Sequence, residues 1–137
     1  MPTLLLAIHV IANVVWIGSI LSCALLASRA AGAPNAAEIG GLARLVYRRL
    51  AAPAFGVSFL FGFARMSLAM SVYAHLGWFH AKLTFAVIVI ALHHVIGARV
   101  RKIEGGDAGA AKGMPLLGWI TFAAAAAATF LGVAKAL

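Results

Sequence analysis

Acidic side chains and cysteine are scarce in this chain of 137 residues, and each shortage excludes a class of function. Three Asp and Glu residues stand against eleven Lys and Arg. The single cysteine, Cys23, excludes an internal disulfide and a cysteine-rich metal cage. The sequence also lacks a glycine-rich phosphate loop, an HExxH pair and a nucleophile elbow. These absences argue against the usual hydrolases and phosphoryl-transfer enzymes, and they leave chemistry that a bound cofactor supplies.

Apolar residues make up most of the chain. Hydrophobic residues account for 64% of it, and the mean hydropathy is +1.04, far from the balance of a soluble domain. Four apolar runs each hold about 20 residues, which at about 1.5 Å per residue cross a hydrocarbon core about 30 Å thick. The sequence therefore predicts an all-α membrane protein, one domain over residues 1–137, with four transmembrane helices in an antiparallel bundle. The predicted spans are residues 4–27, 50–72, 78–98 and 115–133.

Basic residues are concentrated in two of the three loops between these spans. The first and third loops each carry four Lys or Arg, and the second carries none. By the positive-inside rule, the two basic loops face the cytoplasm and both termini lie on the outer side. The net charge of +8 is explained by topology and by anionic lipid, so membrane lipid is a predicted partner and nucleic acid is not. We expect a multi-pass protein of the bacterial cytoplasmic (inner) membrane.

Histidine positions inside the spans indicate a cofactor site. The third span opens with WFHAKL at 78–83, which places His80 and Lys82 where ionisable groups are costly. His9 of the first span is expected at a similar depth, because both helices run from outside to inside. Two neutral imidazoles from neighbouring helices are natural axial ligands of haem iron. His9 and His80 are therefore predicted metal ligands of one haem per chain. His94 shares the face of His80 and is a further predicted cofactor-binding residue.

Two cations at outer-leaflet depth are the candidate catalytic residues, Arg65 and Lys82. An Arg at this depth has to snorkel, pair with an anion or line a polar cavity. A ligand carboxylate such as a porphyrin propionate would suit Arg65, and snorkelling to the headgroups is the alternative. Asn13 and Trp16 of the first span would line the same cofactor site. For them the alternatives are an interhelical hydrogen bond and an apolar contact.

A second pattern near the outer end of the second span permits copper. Met66 and Met70 are four residues apart, so they would share a helix face, and His75 follows them. Thioether and imidazole together suit Cu(I). Methionine as an ordinary packing residue is the alternative. Copper is therefore the alternative metal, with His80 as a further possible ligand.

Taken in order along the chain, these residues resemble the HemJ-type protoporphyrinogen IX oxidases and the related CopD-like four-helix membrane proteins. The resemblance is carried by HV followed by VWIG in the first span, by YRRL before the second, and by WFHAKL and the paired histidines of the third. These motifs occupy residues 9–18, 47–50, 78–83 and 93–94.

The resemblance implies a haem-b-associated membrane oxidoreductase that removes hydrogens from protoporphyrinogen IX to give protoporphyrin IX in haem biosynthesis. Electrons would pass to a membrane acceptor that the sequence does not identify. Position by position, it implies that His9 and His80 are haem or porphyrin site residues and that Lys82 is a propionate partner or proton-handling group. Two alternatives stay open, a CopD-like copper transport or copper-binding protein and a haem-binding electron-transfer subunit without substrate chemistry. A homo-oligomer is compatible with each.

Overall fold

The computed structural model describes residues 2–134, and over this range the chain is helical and contains no strand. Four helical segments are long and apolar enough to cross a membrane. The predicted fold class is confirmed, and the chain is a multi-pass membrane protein. The candidate spans are Thr3–Ser28, Ala36–Ser67, Gly77–Glu104 and Ala108–Ala134.

The helices are joined by short irregular turns. A π-helical turn, Tyr47–Ala51, connects helix α2 (Ala36–Val46) to helix α3 (Ala52–Ser67), and a 3-10 turn, Ala108–Ala111, precedes helix α6 (Met114–Ala134). Pro53 lies in the first turn of α3, and the backbone stays helical from Val46 through Ala52. The segment from α2 to α3 is therefore one nearly continuous rod. The bounds are α1 Pro2–Ser28, α2 Ala36–Val46, α3 Ala52–Ser67, α4 Met70–Tyr73, α5 Gly77–Glu104 and α6 Met114–Ala134.

The outer end of the second span differs from the sequence-based expectation. The spacing predicted a span through residue 72, but α3 ends at Ser67 and the short helix α4 begins at Met70. Met66 and Met70 therefore lie on separate helices, and the shared face expected from their spacing is wrong. The hydropathy of this region does not mark the break, because the residues across the turn are apolar on both sides.

The third span extends beyond its predicted inner end. Helix α5 continues to Glu104, six residues past the predicted boundary. The charged residues after Ala98 end the apolar span, but they remain helical. Its inner part packs against α2. Arg44 of α2 and Glu104 of α5 form an ion pair at 3.6 Å there. The inner end of the bundle is thus a packed layer of its own outside the apolar spans.

Helix α1 lies between α3 and α6, and α5 packs against α6 and α2. Side chains place α1 antiparallel to α3, since His9 lies beside Ser58 and Trp16 beside Phe55. We call the end of the bundle that holds the start of α1 the outer end, following the positive-inside rule, and the opposite end the inner end. Small and aliphatic buried residues crowd the inner half. They include Ile20, Cys23, Ala24, Ala27, Ala43, Ile96, Val100, Ile103 and Met114.

Two adjacent glycines of α2 provide a matched test of this inner packing. A Cβ atom on Gly40 would overlap the backbone of Ile103 and Glu104, whereas one on Gly41 would meet nothing within 4 Å. We expect Gly40→Ala to destabilise the protein by about 1–3 kcal/mol through overpacking. Gly41→Ala should be neutral or stabilising by about 1 kcal/mol or less, because alanine is the better helix former. Thermal unfolding in detergent measures both, and equal effects of the two variants would contradict the packing of α2 on α5.

Candidate functional site

A hydrogen-bonded network near the outer end joins α1 to α3. His9 Nδ1 lies 2.8 Å from the backbone carbonyl oxygen of Ser58, and the Asn13 side-chain amide lies 3.0 Å from His9 Nε2. The Ser58 hydroxyl donates to Asn13 Oδ1 at 2.9 Å. A Cβ atom added to Gly62 would lie 2.7 Å from His9 Cε1, so the imidazole fits here because this residue is a glycine. Asn13 therefore makes an interhelical network through Ser58.

These contacts fix which nitrogen of His9 carries the lone pair. Nδ1 faces a carbonyl oxygen and has to donate, so Nε2 is the acceptor and receives the Asn13 amide hydrogen. A main-chain carbonyl on one nitrogen is the arrangement that orients metal-ligating histidines in proteins. His9 therefore fits an iron ligand through Nε2, provided that the Asn13 amide moves off that atom.

Two cations lie on the helices near this histidine. Arg65 of α3 and Lys82 of α5 are both half-buried. The Lys82 side chain also packs over Gly132 of α6: a Cβ atom added to this glycine would lie 3.2 Å from the Lys82 ammonium nitrogen. Helices α1, α3, α5 and α6 therefore all contribute to this region. We call His9, Asn13, Arg65 and Lys82 the outer cluster. The three acidic residues of the chain all lie toward the inner end: Glu38, Glu104 and Asp107.

His80, the second predicted iron ligand, lies apart from this network. Its side chain is exposed, and its Nε2 is 2.9 Å from the carbonyl oxygen of Ala74 in the loop before α5. Nε2 is therefore the donor, and Nδ1 carries the lone pair that a metal would use.

The helix register shows that His80 and His9 are at different depths. Trp16 of α1 contacts His93 of α5. From that contact, His9 is seven residues and His80 thirteen residues toward the outer end. At about 1.5 Å per residue, His80 is about 9 Å further out than His9, so the expectation of similar depth is not met. Ligation of one iron by both histidines stays a prediction, and it requires one of the two segments to shift.

A second polar cluster, which the sequence analysis missed, is centred on His93. Its side chain is 1% exposed. Trp16 Nε1 donates to His93 Nδ1 at 3.1 Å, and the Tyr47 hydroxyl oxygen lies 3.1 Å from His93 Nε2. Because Nδ1 accepts, the ring is the neutral tautomer that donates Nε2–H to the Tyr47 oxygen. We call Trp16, Tyr47 and His93 the inner cluster. It ties α1, the π-helical turn and α5 together.

Aromatic stacking reinforces the inner cluster. The Tyr47 ring stacks on His93 with ring centroids 4.9 Å apart, and Phe55 packs against the same imidazole at 4.8 Å. A Cβ atom on Gly97, one turn after His93, would overlap the Tyr47 ring. The sequence signal for this cluster was the i, i+4 spacing of His93 and Gly97. This spacing puts a glycine, which has no side chain, on the same helix face as the histidine and leaves space there for another side chain.

Two predicted cofactor-binding residues have neighbours that differ from those expected. Trp16 was expected to line the site around His9, but its N–H is used by His93. His94, predicted from its shared face with His80, is exposed and makes edge contacts with Phe55 and His93. A cofactor-binding role for either residue stays a prediction, and neither belongs to the network around His9.

The residues proposed for copper lie on separate segments. Met66 is half-buried in the last turn of α3, Met70 is exposed in α4, and His75 is exposed in the loop that follows. Across residues 2–134, no group of three or more His, Cys, Asp or Glu side chains is placed to hold a metal ion. Copper binding stays a prediction without a specific contact in its favour.

Comparison with known proteins finds one curated protein to which the chain is similar. The chain is 26% identical over 102 residues to a protoporphyrinogen IX oxidase of Helicobacter pylori, an alignment that covers 72% of this chain and 69% of that protein. No family model and no solved structure matches the chain. The similarity supports a distant relationship to these oxidases.

The inner cluster can be tested with two tryptophan variants that lose the same side-chain volume. Trp16→Phe removes the N–H that His93 Nδ1 accepts, and a buried acceptor left without its partner costs about 1–3 kcal/mol. Trp119→Phe is the control, because Trp119 is 53% exposed and should change stability by about 0.5 kcal/mol or less. Chemical unfolding in detergent measures the difference. Equal losses would show that the hydrogen bond to His93 contributes nothing.

Proposed function

We propose that this chain is a haem-b-binding oxidoreductase of the bacterial cytoplasmic membrane that oxidises protoporphyrinogen IX to protoporphyrin IX. The observation that carries the proposal is the similarity, over 72% of the chain, to the oxidase of Helicobacter pylori. The four candidate spans agree with an enzyme that acts on an apolar substrate within the bilayer. The outer cluster supplies the binding chemistry that such a substrate needs.

A porphyrin is a flat apolar ring system with carboxylate arms, and the outer cluster suits the carboxylate arms. The Arg65 guanidinium can hold one carboxylate through two parallel hydrogen bonds. Lys82 supplies a second positive charge on the neighbouring helix. On the helix that carries Arg65, the rings of Phe59 and Phe63 stack at 6.4 Å with an interplanar angle of 15°, and both are more than half exposed. The aromatic surface that they offer a planar ligand faces away from Arg65, because Phe63 and Arg65, two residues apart, differ by about 200° around the helix.

Haem b, if bound, would supply the acceptance and transfer of electrons, while the chain supplies binding and orientation. His9 would hold it through Nε2, with Ser58 fixing the ring by its carbonyl oxygen. His80 would offer Nδ1, since its Nε2 donates to Ala74. Lys82 would neutralise a propionate or take up a proton released by the substrate.

Haem binding gives the first test of the proposal. Detergent-purified protein should show a Soret band, and His9→Ala and His80→Ala should each weaken it, because each removes a predicted iron ligand. His75→Ala is the matched control, since His75 is an exposed histidine of the same outer end and should leave the band unchanged. Ultraviolet-visible spectra with pyridine haemochrome analysis measure the haem content. Protein that is colourless as isolated and after haem addition refutes the haem assignment, and copper in its place would favour the CopD-like alternative.

Substrate oxidation needs a separate test. The chain should restore growth and porphyrin synthesis to a bacterial strain that lacks its own protoporphyrinogen IX oxidase. Arg65→Gln should lower this rescue because a propionate loses its bidentate partner, and Arg65→Lys should restore part of it. Arg101→Gln serves as the control, since Arg101 is exposed at the inner end and lies outside the motifs that carry the resemblance. A protein that binds haem and fails to rescue would instead be the electron-transfer subunit.

A further inference from the structure

A cavity of about 660 Å³ opens at the inner end, between the last turn of α1 and the start of α6. Arg29 and Lys112 supply its charged side, and Ser28 adds a hydroxyl. Leu25 and Pro115 supply its apolar side. None of these residues belongs to the outer or the inner cluster. The cavity therefore has a chemistry of its own, with two cations at one edge and a hydrocarbon wall at the other.

The packing around the cavity fixes the backbone that carries Lys112. Arg99 of α5 donates from Nη1 to the backbone carbonyl oxygen of Lys112 at 2.7 Å. Gly113 follows with a φ of +79°, a left-handed conformation that lets the chain turn sharply into α6. One turn into α6, Gly118 packs against Ala24 of α1. A Cβ atom added to Gly118 would lie 3.0 Å from the Ala24 Cβ atom, so the two helices approach closely here. The loop that carries Lys112 is thus tied to α5 and α6.

The cavity carries positive charge that no ion pair within residues 2–134 neutralises. Among residues 2–134 the ion pair joins Arg44 to Glu104, and no acidic side chain lies within salt-bridge distance of Arg29 or Lys112. A neighbouring cavity of about 370 Å³ shares Lys112 and is lined by Arg99, Lys102 and Asp107. Asp107 offsets part of the charge of that second cavity. Arg29 and Lys112 face the first cavity without a carboxylate.

We propose that this cavity binds the phosphate headgroup of an anionic phospholipid of the cytoplasmic leaflet. Its position at the inner ends of two spanning helices is the depth at which lipid headgroups lie, and basic pockets between transmembrane helices on this side bind such headgroups. The apolar side favours lipid over a free anion, because Leu25 and Pro115 line the cavity and Leu25 is 37% exposed. Arg29 and Lys112 hold the phosphate, and the acyl chains follow the surface of α1 and α6. The proposal is independent of porphyrin oxidation.

Two double variants with the same change in charge provide the main test. R29Q/K112Q removes both cations of the cavity. R48Q/R49Q removes two exposed cations of the π-helical turn, away from the cavity. Phosphatidylglycerol bound to the full chain is counted by native mass spectrometry, with phosphatidylcholine as the neutral reference. The cavity variant should bind phosphatidylglycerol about thirty-fold more weakly, and the control should bind it nearly as tightly as the wild type. Equal weakening of both variants would show diffuse attraction of lipid and overturn the proposal.

A second arm separates a lipid from a free anion. Phosphatidylglycerol should raise the melting temperature of the wild-type chain in detergent, and glycerol phosphate, which lacks acyl chains, should not. Equal protection by the two compounds would overturn the lipid assignment in favour of a simple anion site.

A third variant keeps the proposal falsifiable if R29Q/K112Q does not fold. Leu25→Trp places a fluorophore on the apolar wall and leaves both cations intact. Brominated phosphatidylglycerol should quench its additional fluorescence, measured against the wild-type chain, more than brominated phosphatidylcholine does at equal content. Equal quenching by both lipids would count against a headgroup site here.

Discussion

Inside a hydrocarbon core, a polar side chain has to find its hydrogen-bond partner within the protein, because neither water nor lipid tails can supply one. Two histidines of this bundle meet that requirement in different ways. His9 fastens α1 to α3 through Ser58 and Asn13. His93 fastens α1 and the π-helical turn to α5 through Trp16 and Tyr47. The central position of α1 follows from these two networks, since it contributes a partner to each.

The two networks leave the ends of the bundle with different properties. The inner half is closed by small side chains, by the stacked rings around His93 and by close approach of α2 to α5. The outer half is more open, and it is where Arg65, Lys82 and exposed phenylalanines lie. Ligand sites between helices need space and a few polar groups that converge on it. A dense inner half can therefore act as the rigid support for a more adaptable outer half.

The sequence predicted the number of spans because hydropathy over about 20 residues is a strong signal that does not depend on tertiary contacts. It separated His94 from His93 by helix face, but it did not predict that His93 would be buried in a polar cluster. Adjacent residues on a helix differ by about 100°, so their roles depend on which neighbour each one meets, and those neighbours are Trp16 and Tyr47 from distant parts of the chain. The break between α3 and α4 was missed for a related reason, since apolar residues continue across it. The depth of His80 likewise depended on the register between α1 and α5, which single-helix geometry does not contain.

The π-helical turn Tyr47–Ala51 sets the rotational phase between the two parts of one rod. Tyr47 and Phe55 both contact His93, yet eight residues of an ideal α-helix would leave their directions about 80° apart. The wider turn winds less per residue and brings both rings to the same face. If this turn took up regular α-helical winding at the same chain length, α3 would rotate by about 80° about its axis, carrying Ser58 away from His9 and Arg65 away from the outer cluster. The geometry of the outer cluster therefore depends on a single turn of backbone in the middle of the same rod.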